Sequence, residues 1–464
     1  MIGKNKQNGQ MSFLYQTLKD QLNPRHPLYQ LSNTINWKAI EDDFSGYYID
    51  FGRPAKPIRL MVSLLILKQL DNLSDETVVS KWVENPYYQY FSGETQFQWS
   101  MPCDPSDLVH FRNRIGNEGF EKIFQLSVKL QGKDARQKSV SIDTTVQEKN
   151  ITFPTDLKLA VRIIAKCRAI AEKENLELRQ SYKRTVKTHL LNQRFKNHPR
   201  NKKKAFASAR KIRTIAGRLV RELERKLPEG SAWITDLNLF RKVLSQTQKS
   251  KNKVYSLHEP EVSCIAKGKD HKKFEFGSKV SFAITKTTNV IVSVVTFKGN
   301  PYDGDTLKDT LDFHEKITGK RAVQATVDRG YRGRKMIGGT LIHTPKPPKA
   351  SDSASQRQTA RTRFRRRAAI EPIFSHAKHD HRMARNYLKG FVGDQINALM
   401  AAAAFNFRRW LRKIKLLPDF LFEWVIYRLT RTGVCGFIVT RLEIMNSIVH
   451  LQTCDSGQRT INDI

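Results

Sequence analysis

Three acidic residues stand out for the chemistry they could support. Asp143 follows the apolar run of VSIDTT, Asp328 follows that of QATVDRGYRG, and Glu371 lies within FRRRAAIEPIFSHAK, residues 364–378. Two strand-end aspartates and a helix glutamate would supply hard oxygen ligands. Two Mg2+ (or Mn2+) ions take such ligands, and metal-assisted phosphoryl transfer needs them. Read as one helix, residues 364–378 place Phe364, Arg367, Glu371 and Lys378 on roughly one face, beside an apolar stripe of Ile370, Phe374 and Ala377. Taken alone, that helix would be a basic surface element with an i,i+4 ion pair from Arg367 to Glu371. The two aspartates shift the balance toward a metal-binding set.

Other polar groups compete for the role. Asp303 and Asp305 lie in a loop before a helix, where Asp serves as turn former and N-cap. Asp380 with His376, His379 and His381 has a spacing that matches no common zinc pattern and reads as a solvated helix end. The five cysteines are scattered without a CxxC pair, which fits a reducing compartment and neither a zinc knuckle nor a disulfide framework. No Tyr or Ser stands out as a nucleophile.

The elements that must position the acids follow from periodicity. SVSIDTTVQ reads as a strand, with NITF extending or following it, and GSKVSFAITKTTNVIVSVVTF as a hairpin. A helix capped by Asp305 runs from Thr306 to about Lys316. VQATVDRG and TLIHTP are further strands, and PKPPKASDSASQRQ is a polar loop before the 364–378 helix. QINALMAAAAFNFRRWLRK is an amphipathic helix. Strand, hairpin, helix, strand, strand, helix is the order of an RNase H-like α/β mixed sheet, in which ligands sit beyond the carboxyl ends of the strands. Residues 1–135 read as an amino-terminal helical domain. One of its helices begins at Pro57, a second follows a Ser74 cap, and a third runs from an Asp104 cap to a stop at Gly116. The third would expose His110, Arg112, Asn113 and Arg114, in the manner of a helix-turn-helix. The catalytic core spans 136–413, interrupted by a helical insertion at about 156–245, and a tail of unassigned role follows from 414.

Charge points to the partner. The chain of 464 residues carries a formal net charge of +37, with a pI near 10.1, which argues for a polyanion such as DNA or RNA. Residues 179–226 hold seventeen Lys or Arg against Glu222 and Glu224. Apolar positions persist among them, so a helix with a basic side is expected, with the Lys202, Lys203 and Lys204 run contacting phosphates. No uncharged apolar run approaches the ~20 residues of a membrane helix, and the first 35 residues lack a signal-peptide pattern. A cytoplasmic, nucleoid-associated protein is expected.

On these residues the sequence resembles bacterial insertion-sequence transposases of the DDE type, in the IS-five group, over roughly residues 57–413. The family's aromatic, Arg, Glu and Lys signature reads here as Phe364, Arg367, Glu371 and Lys378, with Phe364 where Tyr is usual. SIDTTVQEKNITFPTD, NPYDGDTL and VDRGYRG also look typical. The resemblance implies a catalytic triad of Asp143, Asp328 and Glu371 holding two ions, with Asp143 shared. It implies phosphate contacts from Arg367 and Lys378, while the helix-turn-helix reading places Arg112 and Arg114 on DNA. It further implies cleavage and strand transfer at terminal inverted repeats by a homo-oligomer. A DNA-binding derivative without catalysis is the alternative.

Overall fold

A computed structural model of the chain describes residues 16–49, 54–247, 249–266, 273–347 and 349–431, with side chains described as far as residue 414. The amino-terminal helices are α1 (Leu18–Gln21), α2 (Pro27–Thr34), α3 (Trp37–Ser45), α4 (Ile58–Leu70), α5 (Asp75–Glu84), α6 (Pro86–Phe91) and α7 (Pro105–Lys129). Strand β1 (Ser139–Lys149) is followed by helices α8 (Asp156–Lys173), α9 (Lys183–Leu191), α10 (Pro199–Lys226) and α11 (Ile234–Ser245). Then come β2 (Ser263–Ala266), β3 (Phe274–Thr285), β4 (Ile291–Phe297), α12 (Leu307–Thr318), β5 (Gln324–Thr326), β6 (Met336–Ile337) and β7 (Thr340–His343). The chain continues through α13 (Ala354–Arg367), α14 (Ile370–His379), β8 (Arg385–Asn386) and α15 (Gly390–Arg431).

The sheet is mixed. β4, β3 and β1 pair antiparallel, and β5 and β7 continue it parallel to β1. The spatial order β4-β3-β1-β5-β7 is that of an RNase H-like core. Short strands extend it: β2 beside β3, β8 beside the far end of β1, and β6 beside β7. The β-branched runs of β3 and β4 are buried on both faces, because α12 and α14 cover parts of the sheet and α15 packs along β4. Where β3 and β1 cross, a Cβ on Gly277 would lie 1.9 Å from the Gln147 carbonyl oxygen, so only glycine fits there.

The amino-terminal helices share the core of this sheet. Val62 and Leu65 of α4, Phe120 and Phe124 of α7, Ile142 of β1, Phe282 of β3 and Phe407 of α15 belong to one buried cluster. Eleven of the thirteen residues of α4 are buried. A helix apolar on every side belongs in a core and has no face left for a DNA groove. The insertion has a core of its own, in which Ile163, Ile164 and Cys167 of α8 meet Ile215, Leu219 and Leu223 of α10 and Phe240 of α11.

α7 breaks at Gly116 as expected, where the backbone is not helical (φ 53°, ψ −164°), but a second helical stretch follows at once to Lys129, because Phe120, Ile123 and Phe124 continue the buried face. β1 does not end at Asp143. It continues six residues further, paired with β3 as far as Glu148. Asp305 does not cap α12. The N-cap is Thr306, and Asp305 instead pairs with Arg334 at 2.7 Å. His381 is not part of a solvated helix end: it is 1 % exposed, with Nδ1 3.2 Å from the Gln69 carbonyl oxygen. Gln69 Nε2 donates back to the His381 carbonyl, so the pair ties α4 to the segment after α14. The tail expected from 414 lies in part outside the described residues.

His381 and the equally buried His314 make acid stability testable. Burial pushes both down to about 4. A folded-state pKa below the unfolded value near 6.5 means stability is intact above pH 6.5 and lost as pH falls toward 4. Each imidazole should account for roughly 3 kcal/mol, at ~1.4 kcal/mol per pKa unit. The melting temperature of His314→Leu is therefore expected to fall less than that of the native chain between pH 6.5 and 4. Parallel curves would show that protonation at this site does not drive the loss.

Candidate active site

The end of β5 sets the place. β5 pairs only with Ser139–Ser141 of β1, so the edge of β1 beyond that point lies open where β5 turns away. Asp143 sits on this stretch, and Asp328 follows two residues after β5 ends. The Asp328 side chain turns back to accept from the Gly330 N–H at 2.7 Å, which fixes the DRGY segment as a single tight turn.

The two aspartates meet at one cation. Arg367 Nη2 donates to Asp143 Oδ2 at 2.7 Å and lies 3.6 Å from Asp328 Oδ2. Asp143 Oδ1 accepts from the Thr144 N–H at 2.8 Å. Burial pushes the Asp143 carboxyl up to about 6. Arg367 and the Thr144 N–H oppose that rise, and the charges of Asp328 and Asp303 add to it. The Arg367 Nε is buried without a hydrogen-bond partner, so the guanidinium keeps a donor in reserve.

The helix expected over residues 364–378 is two helices. α13 ends at Arg367 and α14 starts at Ile370, joined through tighter i→i−3 bonds: Ala368 N–H to Arg365, Ala369 N–H to Arg366 and Glu371 N–H to Ala368. The signal was present in Pro372. Proline has no N–H to give Ala368 and is tolerated in the first turn of a helix but not in its interior. The break removes the single face shared by Arg367 and Glu371, and with it the Arg367–Glu371 ion pair. Arg367 reaches Asp143 instead. α13 has no buried residue, whereas α14 anchors through Ile370, Ile373, Phe374 and Ala377, with Phe374 against Phe282 of β3.

Glu371 opens α14, which packs on β1. Its side chain is exposed and is not part of the Arg367 contact. Lys378 lies two turns further, half-buried, in a separate cleft of about 530 Å³ bounded by Glu148, Phe153, Phe276 and Arg385. Arg112 is not on an exposed face as expected. It is 6 % exposed and grips Asp75 with two hydrogen bonds of 2.8 and 2.7 Å, which spends its charge inside the helical core. Arg114 is exposed over the Tyr48 ring, in a cleft of about 580 Å³ that also holds Lys56 and His110. Lys202, Lys203 and Lys204 are exposed near the start of α10.

Asp303 was missed by the sequence reading, which took it for a turn residue. Its Oδ1 accepts from Thr144 Oγ1 at 2.8 Å and from Lys279 Nζ at 3.0 Å, which brings it beside Asp143. Nothing within its own segment signals this, since the contacts span 159 and 24 residues.

The donor set suits a hard divalent cation, being carboxylate oxygens around a point where the protein already places a positive charge. Among the described residues no three carboxylate, imidazole or thiol groups stand close enough together to hold an ion as they are. Arg367 occupies the space between the two aspartates.

Comparison with known families decides the assignment. Residues 244–407 match the model of a transposase DDE domain, and residues 16–114 match that of a transposase domain of the DUF772 type. The chain belongs to the DDE transposases. The DDE match takes in Asp303, Asp328 and Glu371, while Asp143 lies before it. An uncharacterized protein, ORF8 in the nfe locus of Rhizobium meliloti, is 43 % identical over 184 residues, covering 39 % of this transposase and 89 % of that relative. No solved structure matches the chain. Among the described residues of the transposase, no helix is long and apolar enough to cross a membrane.

Proposed function

We propose that this transposase cuts and joins DNA at the ends of its own element, with Asp143, Asp328 and Glu371 as metal-binding acids. The observation that carries the reading is the single guanidinium shared by Asp143 and Asp328, two acids 185 residues apart in sequence that fold brings to one cation. Two bound Mg2+ or Mn2+ ions would activate the attacking oxygen and stabilise the leaving oxygen of the phosphodiester. Asp143 and Asp328 would hold these ions from the sheet, and Glu371 from the start of α14. Arg367 would then turn its freed guanidinium, including the unpartnered Nε, toward a phosphate, for which Arg is the better bidentate partner. Membership of the IS-five group, the terminal inverted repeats as binding site, and assembly of two or more copies on the paired ends belong to the same proposal.

Arg367 therefore has two roles that separate in experiment. Without metal, Arg367→Ala leaves Asp143 and Asp328 facing each other without their counter-charge. A loss of about 1.5–3 kcal/mol is expected, the range for a hydrogen bond to a charged group. Added Mg2+ should then raise the melting temperature of the variant more than that of the native chain. Equal Mg2+ shifts in the two proteins would show that Arg367 does not stand in for the ion. Cleavage by the variant should still fall, through loss of the phosphate contact.

The basic insertion tests DNA binding apart from chemistry. The exposed Lys202, Lys203 and Lys204 are proposed to sit on backbone phosphates, each contributing roughly 0.9 to the slope of log affinity against log salt. Reversing all three to Glu should flatten that slope by two to three units, with Arg114 and Lys378 retained. An unchanged slope would mean that these lysines only face solvent.

A further inference from the structure

Asp303 has more contacts with the candidate active site than a turn residue needs. It opens the short turn before α12, yet its Oδ1 is held from two strands of the sheet, by Thr144 of β1 and by Lys279 of β3. Lys279 is itself fixed by the Pro301 carbonyl at 2.6 Å, so the loop and the strand are locked together. Asp303 Oδ2 accepts no hydrogen bond among the described residues. It faces the DRGY turn. A Cβ placed on Gly330 would lie 2.9 Å from Asp328 Oδ1 and 3.4 Å from Asp303 Oδ2, so both carboxylates close on the same backbone atom.

A second feature points into the same space. Tyr331 is fully buried and its hydroxyl has no hydrogen-bond partner. It lies within reach of the charges of Asp143, Asp303 and Asp328. The neighbouring Thr144 hydroxyl is committed as a donor to Asp303. The Tyr331 hydroxyl therefore lies beside the Thr144 side chain, within the field of the three acids.

We propose that Asp303 is a fourth carboxylate of the catalytic centre, and that its Oδ2 joins Asp143 and Asp328 in binding the first divalent cation, before Glu371 completes the site. This rests on the reading that the two aspartates bind metal. It explains why Asp303 is drawn against Asp143 while Glu371, on the far side of the Ala368–Ala369 break, stays exposed. Lys279 holds Asp303 as Arg367 holds the other two acids.

Mn2+ titration of the full chain without DNA, read by electron paramagnetic resonance, tests this independently of catalysis. Asp303→Asn should weaken the first Mn2+ by about tenfold or more, the scale on which groups around a metal act. Asp303→Glu should recover part of that loss, and Glu371→Gln should change the first ion little. Lys279→Met should tighten Mn2+ binding by removing the competing cation, a gain that a folding defect cannot mimic. Native affinity in Asp303→Asn, or weaker binding in Lys279→Met, would overturn the proposal. Asp143→Asn separates the two levels. If it binds Mn2+ as the native chain does, the two-aspartate reading fails and the Asp303 proposal falls with it. If Asp143→Asn loses the ion while Asp303→Asn keeps it, only the role of Asp303 falls.

Discussion

Asp143→Asn and Asp328→Asn should each lower strand cleavage by more than about a thousandfold, the scale on which single members of a catalytic unit act, while DNA binding persists. Asparagine keeps the shape of the side chain but cannot carry the negative charge that a divalent ion requires. Each substitution also removes a charge that repels phosphate, so affinity for end DNA should hold or rise slightly. The same changes relieve Arg367 of one partner at 2.7 or 3.6 Å, a modest structural effect beside the catalytic one. Glu371→Gln should behave likewise in cleavage. It should differ in the resting protein, where Glu371 is exposed and leaves the Arg367 contact untouched. Retained cleavage in Asp143→Asn would remove the basis for the proposed chemistry.

The largest stability effect is expected at the opposite end of β1. The Lys149 side chain is 3 % exposed, with Nζ 2.8 Å from Asp394 Oδ1 and 3.6 Å from Glu259 Oε2, and it donates to the carbonyls of Leu388 and Gly390 at 2.8 and 2.9 Å. Asn386 and Ser278 also donate to Asp394. Four segments distant in sequence meet here: the end of β1, the stretch after the insertion, β3, and the run from β8 into α15. Lys149→Met would leave two buried carboxylates without their cation, a change that costs about 3–5 kcal/mol. Adding Asp394→Asn should recover part of the loss, because one of the stranded charges is removed. Denaturant unfolding measures both. A loss below about 1 kcal/mol in Lys149→Met would mean that solvent reaches the cluster. This end of β1 lies away from Asp143, so DNA cleavage per folded molecule should change little.

How much could be read in advance depended on the range of the interaction. The strands around Asp143 and Asp328, the β3–β4 hairpin and the buried stripe of α15 follow from local periodicity, and their order already implied the mixed sheet. The helix in the basic run was also legible, because apolar residues persist there and α10 buries them. Pro372 carries a local signal for the helix break, which the face shared by Arg367 and Glu371 masks. Other features had no local signal. That β1 outlasts β5, leaving Asp143 in mid-strand on an open edge, depends on the length of a partner strand almost 200 residues away. Arg112 looks exposed by helical position but is claimed by Asp75, 37 residues earlier. Asp303 has the composition of a turn, and only packing of the loop on β1 and β3 reveals its carboxylate beside Asp143.

The most direct test of the account incubates the full chain with DNA carrying the ends of its own element, with Mg2+ or with EDTA, and maps strand breaks at nucleotide resolution. The account predicts nicks confined to the element ends, dependent on Mg2+ and absent in Asp143→Asn, which still retards the same DNA. End-specific binding with no Mg2+-dependent nick would contradict the catalytic claim and leave a DNA-binding derivative of a transposase. Breaks that persist in Asp143→Asn would place the chemistry elsewhere.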